Sequence, residues 1–211
     1  MSDFDVTKFM SKVEALGGIA RKNRFSVEIT APRTLSSPWS GNQISFLAKA
    51  VSFPARTFGG TTYRSGGRFG LEVPYETTFE PVGLTMLNTN NHAPRKFWVA
   101  WFEHIQKVGS TNSKRNYHMQ YYKNFIGSVK ISNYNEANFT AGESQYEIIL
   151  HNAWPKTLSA IEVSWDSSDL SDFTVDIAYS HWTEKGGQSG GSYTDQRIAS
   201  FQDTGNTSRG F

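Results

Sequence analysis

Histidine is the side chain best suited to move protons or hold a metal near neutral pH, and this sequence has five: His92, His104, His118, His151 and His181. None falls at ligand spacing with carboxylates, so the sequence supports no metal site. Gly187-Gln188-Ser189-Gly190-Gly191 fits the pattern of a nucleophile elbow, which needs a strand-to-helix turn and a histidine later in the chain. The last histidine, His181, precedes it, and the surrounding segment is rich in glycine and serine, where such a match arises by chance. Asp166, Asp169 and Asp172 lack the glycine and closing glutamate of a calcium loop and read as a solvated turn. The glycines around Gly66 do not follow a buried strand and open a helix, as a phosphate-binding loop requires. Two glycosylation sequons begin at Asn138 and Asn206, a pattern common by chance. The sequence therefore argues against an enzyme and implies no cofactor and no metal. Its information lies in surfaces.

Those surfaces belong to one domain. A chain of 211 residues, 37% hydrophobic and 14% aromatic, can bury one good core, and a second would be cramped. Without cysteine there are no disulfides, so stability must come from packing or assembly, and a disulfide-forming compartment is not supported. The N-terminal stretch has early acids and no long apolar core, and no apolar run approaches the ~18 to 20 residues of a spanning helix. The expectation is a protein with no membrane partner. The net charge, 21 basic minus 19 acidic residues, is only +2, which is no argument for nucleic-acid binding. Its distribution is more telling. Residues 95–130 hold seven basic side chains and one acid, net +6, whereas residues 131–184 hold nine acids and one lysine, net −8. These are two solvated faces, or a basic face of one copy that meets an acidic face of the next.

The elements that carry these faces follow from periodicity. Val6, Phe9, Met10, Val13 and Leu16 form one stripe of a short N-terminal helix, capped by Ser2 or Asp3 and ended by Gly17-Gly18. Arg24 to Ala31 alternates as a strand, and a polar loop through Pro32 and Pro38 leads to an apolar stretch from Ile44 to Phe53. Ala55 to Gly70, with five glycines and few aliphatics, reads as an extended loop or hairpin tip. Leu71 to Met86 reads as one long strand with an acidic face, bent near Pro81 and Gly83. Pro94 in a first turn and the spacing of Phe97, Trp101 and Ile105 predict a main helix over 93–108. Gly127 to Tyr134 and Gln145 to Asn152 form an antiparallel pair. From Asn152 to Trp182, a Trp154-Pro155 corner opens a hairpin whose strands carry Ile161, Val163 and Trp165, then Phe173, Val175, Ile177 and Tyr179. The expected fold class is α+β, mostly antiparallel: two packed β-sheets in a barrel-like sandwich, flanked by the main helix and the short N-terminal helix. Residues 1–184 would form that domain and 185–211 a Gly/Ser/Thr-rich tail.

Several of these phrases together resemble a known family. Ala20-Arg21-Lys22-Asn23 before the first strand, Lys49 to Pro54 at a corner, Arg95-Lys96-Phe97 with Trp101 on the helix, Trp154-Pro155, Trp165-Asp166-Ser167 and His181-Trp182 resemble the tail tube proteins of contractile-tailed bacteriophages. The resemblance covers about residues 20–182. It implies a structural virion protein whose hexameric rings share one continuous barrel and stack into a tube inside a contractile sheath. By the same resemblance residues 55–70 are an arm that reaches a neighbouring subunit, with Arg56, Phe58, Tyr63, Arg64 and Arg68 as its contacts. It further implies sheath, baseplate, tail terminator and tape measure proteins as partners, transient passage of DNA, and assembly in the host cytoplasm. A lumen that DNA must cross quickly should be polar and acidic, which nominates Glu72, Glu76, Thr78, Glu80, Thr174, Asp176 and Ser180 as its lining. Phe97, Trp101, Trp154 and Trp165 are the expected core anchors. Tube proteins of type VI or extracellular contractile injection systems and baseplate tube initiators share the architecture. A carbohydrate-binding module using Trp98, Tyr121, Tyr122 or Trp182 as sugar platforms is the alternative from another class.

Overall fold

The computed structural model describes residues 5–16, 18–64, 66, 69–106, 119–135, 144, 146–166 and 168–186. The elements run α1 (Val6–Ala15), β1 (Phe25–Thr30), α2 (Gly41–Ser45), β2 (Ala48–Val51), β3 (Arg56–Tyr63), β4 (Leu71–Phe79) and β5 (Val82–Leu87). They continue α3 (Ala93–Ile105), α4 (Tyr122–Phe125), β6 (Gly127–Asn133), β7 (Tyr146–Leu158), β8 (Asp172–Ala178) and β9 (His181–Gly186).

Two sheets share the long strand β7. Its first half pairs with β6 and β9 and its second half with β8, so one sheet runs β1-β6-β7-β9 and the other β7-β8-β5-β2. All these pairings are antiparallel, and the sheets do not close into a barrel. The chain passes from one sheet to the other at Asn152, which has a left-handed φ of 53°. Asparagine tolerates that conformation better than most residues. Its Nδ2 donates to Ser180 Oγ at 2.9 Å, which ties the corner to the start of β9. The expected Trp-Pro corner therefore falls two residues earlier: Trp154 and Pro155 continue within β7, with Pro155 beside a register shift that accommodates it.

Alternation decides what is buried. Val27 and Ile29, Val129 and Ile131, and Ile148 and Leu150 line the inner face of the first sheet. Val82, Leu84 and Met86, with Phe173, Val175 and Ile177, line that of the second. The α3 helix adds Phe97, Trp98, Trp101 and Ile105 to the same core. Trp98 and Trp101 stack with centroids 5.5 Å apart, and their indole N–H groups are both satisfied. Trp98 donates to Met86 Sδ at 3.0 Å and Trp101 to the Phe125 carbonyl at 2.8 Å. Gln106 is extended, so α3 ends at Ile105, short of the expected 108.

Four expectations need correction. The apolar stretch from Ile44 does not begin as strand, because Ser40 and Gln43 form a capping box that winds Gly41–Ser45 into a helical turn. That turn presses Gly41 onto the Ile29 carbonyl, where no Cβ fits, and Ser45 Oγ accepts from Ile29 N at 3.0 Å. Residues 55–70, by contrast, follow the hairpin alternative, since β3 pairs with β4 along its whole length as a separate two-stranded sheet. The long strand of 71–86 is divided at Pro81 between that hairpin and the second sheet. Ile161 to Trp165 forms no strand: β7 has already supplied the pairing for β8, and residues 162–166 and 168–171 are exposed while Ile161 packs partly against the core. The predicted N-cap also moves, to Asp5, whose side chain accepts from Thr7 N at 2.9 Å, while Ser2 and Asp3 lie outside the described residues.

Candidate assembly surface

The β3/β4 hairpin is an arm. Among the described residues its strands pack on each other and make no extended contact with any other element. At its base the Phe79 ring lies 5.9 Å from that of Tyr179, and Ser52 and Gly83 exchange hydrogen bonds at 3.1 Å. Phe58, Tyr63, Leu71, Val73 and Tyr75 are all exposed, an unusual concentration for fewer than thirty residues. Arg56 places its guanidinium 4.8 Å from the Phe58 ring centroid, and Arg64 is exposed just beyond β3. Arg68 lies outside the described residues.

A bulge resets the alternation of the arm. Gly59 opposes Glu76 while Gly60 opposes Pro74, so Tyr75 is an extra residue on β4. Glu76 and Thr78 therefore share a face with Tyr63, Leu71 and Tyr75, whereas Glu72 faces the other way with Phe58 and Phe79. The local geometry agrees. A Cβ built at Gly59 would lie 3.5 Å from both Glu76 Cβ and the Tyr75 ring, and one at Gly60 would run into the Glu72 carboxylate. The single acidic face read from strict alternation does not exist. Of those nominees Glu80 alone reaches the second sheet, where burial first and the Glu80 charge second push up the pKa of Tyr179.

Thr174 and Asp176 sit on the outward face of β8, and Ser180 is exposed just before β9. Their neighbours are small and polar: Thr85 and Thr174 share a hydroxyl hydrogen bond at 3.2 Å, and Gly83 pairs with Asp176. Lys49 is neutralised on this sheet by Asp172.

Backbone edges are the second feature. The outer edge of β1 is closed by α2 through Ser45 and Gly41. No strand covers the outer edges of β9 and β2 among the described residues. β9 is an element the sequence reading missed, although His181, Thr183 and Lys185 alternate with Trp182 and Glu184. At its start the His151 and His181 rings stack at 4.6 Å, with His151 Nε2 and Thr183 Oγ1 2.9 Å apart. Burial, then the His181 charge, holds the His151 pKa below its ordinary value. Burial, then a hydrogen bond to Glu184, raises that of Tyr146 on the same strand pair. No cluster of three or more potential metal ligands occurs among the described residues.

The core anchors divide. Phe97 and Trp101 are fully buried and Trp154 packs partly against the core, 6.2 Å from Phe125. Trp165 is not an anchor: it is 105% exposed, because the strand that would have turned it inward does not form. Trp98, one of the sugar platforms of the carbohydrate alternative, is 1% exposed and unavailable to a ligand. Of the basic segment, Lys130 is bound within the subunit by Glu28 at 2.8 Å, a hydrogen bond that raises its pKa. Arg95 donates to the Ser159 carbonyl at 3.1 Å, while Lys107, Lys114 and Arg115 lie outside the described residues, as do residues 187–211.

Comparison with known proteins places these features. A family model described as phage tail tube protein matches residues 20–185. Tail tube protein gp19 of Enterobacteria phage T4 is 25% identical over 169 residues, covering 79% of this chain and 92% of that protein. A chain in the anti-feeding prophage baseplate superposes with a TM-score of 0.58 at 15% identity, over 80% of this chain and 97% of that one. A chain in the sheath-tube complex of an extracellular contractile injection system, in its extended state, gives 0.56 at 15% identity, over 83% and 97%. At that identity the two structures share the fold with this chain, and α1 lies outside the matched range.

Proposed function

The chain belongs to the phage tail tube protein family, and on that premise we propose that it polymerises as stacked hexameric rings into the inner tube of a contractile tail. The observation that carries this reading is that the family match spans both sheets and the arm, the parts a closed ring would join. Open strand edges are a hazard on a monomer and become joints when copies pair around a ring. The uncovered edges of β9 and β2 and the exposed apolar arm support such joints. An obligate joint should bury more than ~2,000 Å².

The tube would carry DNA during ejection, with the polar outward face of the second sheet, from Thr174 and Asp176 to Glu80, as its lining. Uncompensated basic side chains there would hold phosphate and slow transit. Sheath protein would surround it, baseplate and terminator proteins would close its ends, and tape measure protein would occupy it before DNA. The site of action would then be the virion tail, after assembly in the host cytoplasm. Catalysis has no part in this role. The arm would reach a neighbouring copy through Phe58, Tyr63 and their apolar neighbours, steered by Arg56, Arg64 and Arg68.

Negative-stain microscopy of the purified, concentrated full chain tests the proposal, with six-fold rings or hollow tubes as the expected particles. A species that stays monomeric in sedimentation at every concentration and is absent from virions would refute it. Replacing Asp176 and Glu80 with lysine should permit tubes yet slow genome ejection; unchanged ejection would remove these residues from the lumen.

A further inference from the structure

Two surfaces of this chain complement each other in both charge and apolarity. The first is the connection of residues 159–171 between β7 and β8. Val163, Trp165 and Leu170 are 87%, 105% and 81% exposed there, interleaved with Glu162, Asp166 and Asp169 and with no basic residue. A linker has no use for three solvent-facing apolar side chains, one of them tryptophan, and such a patch marks a contact. The second is a groove between the stretch from Leu16 to Phe25 and the edge at 49–53. Phe53 and Tyr146 form its aromatic floor, edge to face at 6.1 Å, with Leu16 and Ile19 beside them. The cavity bounded by Phe53 and Tyr146 is about 440 Å³, within the range of recognition pockets. Arg21, Lys22 and Arg24 line the groove, while Lys49 at its edge is already paired with Asp172.

We propose that the acidic, tryptophan-bearing loop 159–171 of one copy seats in the basic, aromatic groove of a second copy, Trp165 packing against Phe53 and Tyr146. The occupant is a second copy because the two halves of the contact, opposite in sign and alike in apolar character, are on the same chain. They are different surfaces, so the contact is heterologous and repeats head to tail, either closing into a ring or continuing along an axis, the two repeats from which stacked rings are built. Buried tryptophan and arginine are the residues that dominate such contacts, and paired opposite charges fix register and exclude wrong partners. The inference rests on the tube reading and gives it a specific joint.

The test uses the full chain and its critical concentration for assembly, measured by sedimentation and microscopy. Trp165→Ala should raise that concentration at least ~10-fold, the effect of losing a contact anchor. Lys22→Glu and Asp166→Lys, each alone, should also raise it, more at low salt than at high salt. Mixing these two variants should restore assembly, because the loop made basic by Asp166→Lys meets the groove made acidic by Lys22→Glu and the remaining contacts are native. Rescue also rules out misfolding as the cause of either defect. If the wild type assembles and all three variants assemble at its concentration, the loop-groove joint is wrong and the tube reading stands. Normal tubes from Asp166→Lys that no longer bind sheath protein would assign the loop to the sheath and likewise overturn the joint. A wild type that never assembles would bring down the tube reading itself.

Discussion

Excising the arm should separate folding from assembly. The cut must take residues 56–79 together, because β3 and β4 pair along their whole length and removal of one would strand the other. Arg56 and Phe79 are register partners, so their Cα atoms lie about 4.5–5.5 Å apart, and an Asn-Gly link can join Ala55 to Glu80. The body loses little. Its ring contact with the arm is Phe79 on Tyr179, worth about 0.5–1.5 kcal/mol beyond area. Unfolding in urea should therefore shift by no more than about 2 kcal/mol.

Assembly loses far more. Phe58, Tyr63, Leu71, Val73 and Tyr75 are 57%, 62%, 66%, 39% and 70% exposed, so more than half of their apolar surface awaits burial. At about 2 kcal/mol for full burial of each, the remaining fraction comes to about 6 kcal/mol per joint, roughly four decades in affinity. Sedimentation velocity of the excised chain should show monomer at concentrations where the full chain forms rings or tubes. Tubes at an unchanged critical concentration would refute the argument, and so would an excised chain that fails to fold, since the arm would then belong to the core.

The remaining predictions concern the body. Trp101→Ala should cost about 3–5 kcal/mol in urea unfolding, whereas Trp165→Ala should leave the monomer within about 0.5 kcal/mol of wild type; the reverse order would contradict the packing described. Gly127→Ala should destabilise by about 1–3 kcal/mol, because a Cβ there runs into the Thr30 carbonyl and lies 2.9 Å from the Trp101 ring; a neutral effect would show that the two strands can part. His151 is held below its ordinary pKa, so the unfolded chain takes up its proton more readily than the folded one. Its contribution is intact above about pH 6.5 and is lost as pH falls from there through the folded-state value. His151→Asn should flatten that part of the pH–stability curve, and an unchanged curve would clear the histidine pair.

Much of this fold was legible because period and burial agree. Phe97, Trp101 and Ile105 announce α3, and Phe173, Val175 and Ile177 announce β8; these residues are in fact buried. Long-range pairing is what periodicity cannot carry. Ile161, Val163 and Trp165 alternate as well as any strand here, but β8 was already paired by the second half of β7, so the pattern had no partner. The acidic face of residues 72–80 failed for a related reason, since one extra residue at Tyr75 inverts every side chain that follows, and no local residue type requires it. The capping box at Ser40 and Gln43 and the alternation of β9 were in the sequence and could have been read.

The misplaced residues are themselves informative. A sequence that only needed to fold would not keep alternation in a segment that forms no strand, nor so many exposed apolar side chains on an arm. Trp165, Val163 and Leu170 on the loop, with Tyr63, Leu71 and Tyr75 on the arm, add little to the packing of the subunit that carries them. Exposed apolar surface of that extent favours indiscriminate association unless something specifies the partner. Here two devices specify it. On the tube reading, the arm would fix where its apolar side chains reach, and the acids around Trp165 would favour a basic groove. The segments that contradict the monomer are, on that reading, those whose pattern would be satisfied between copies.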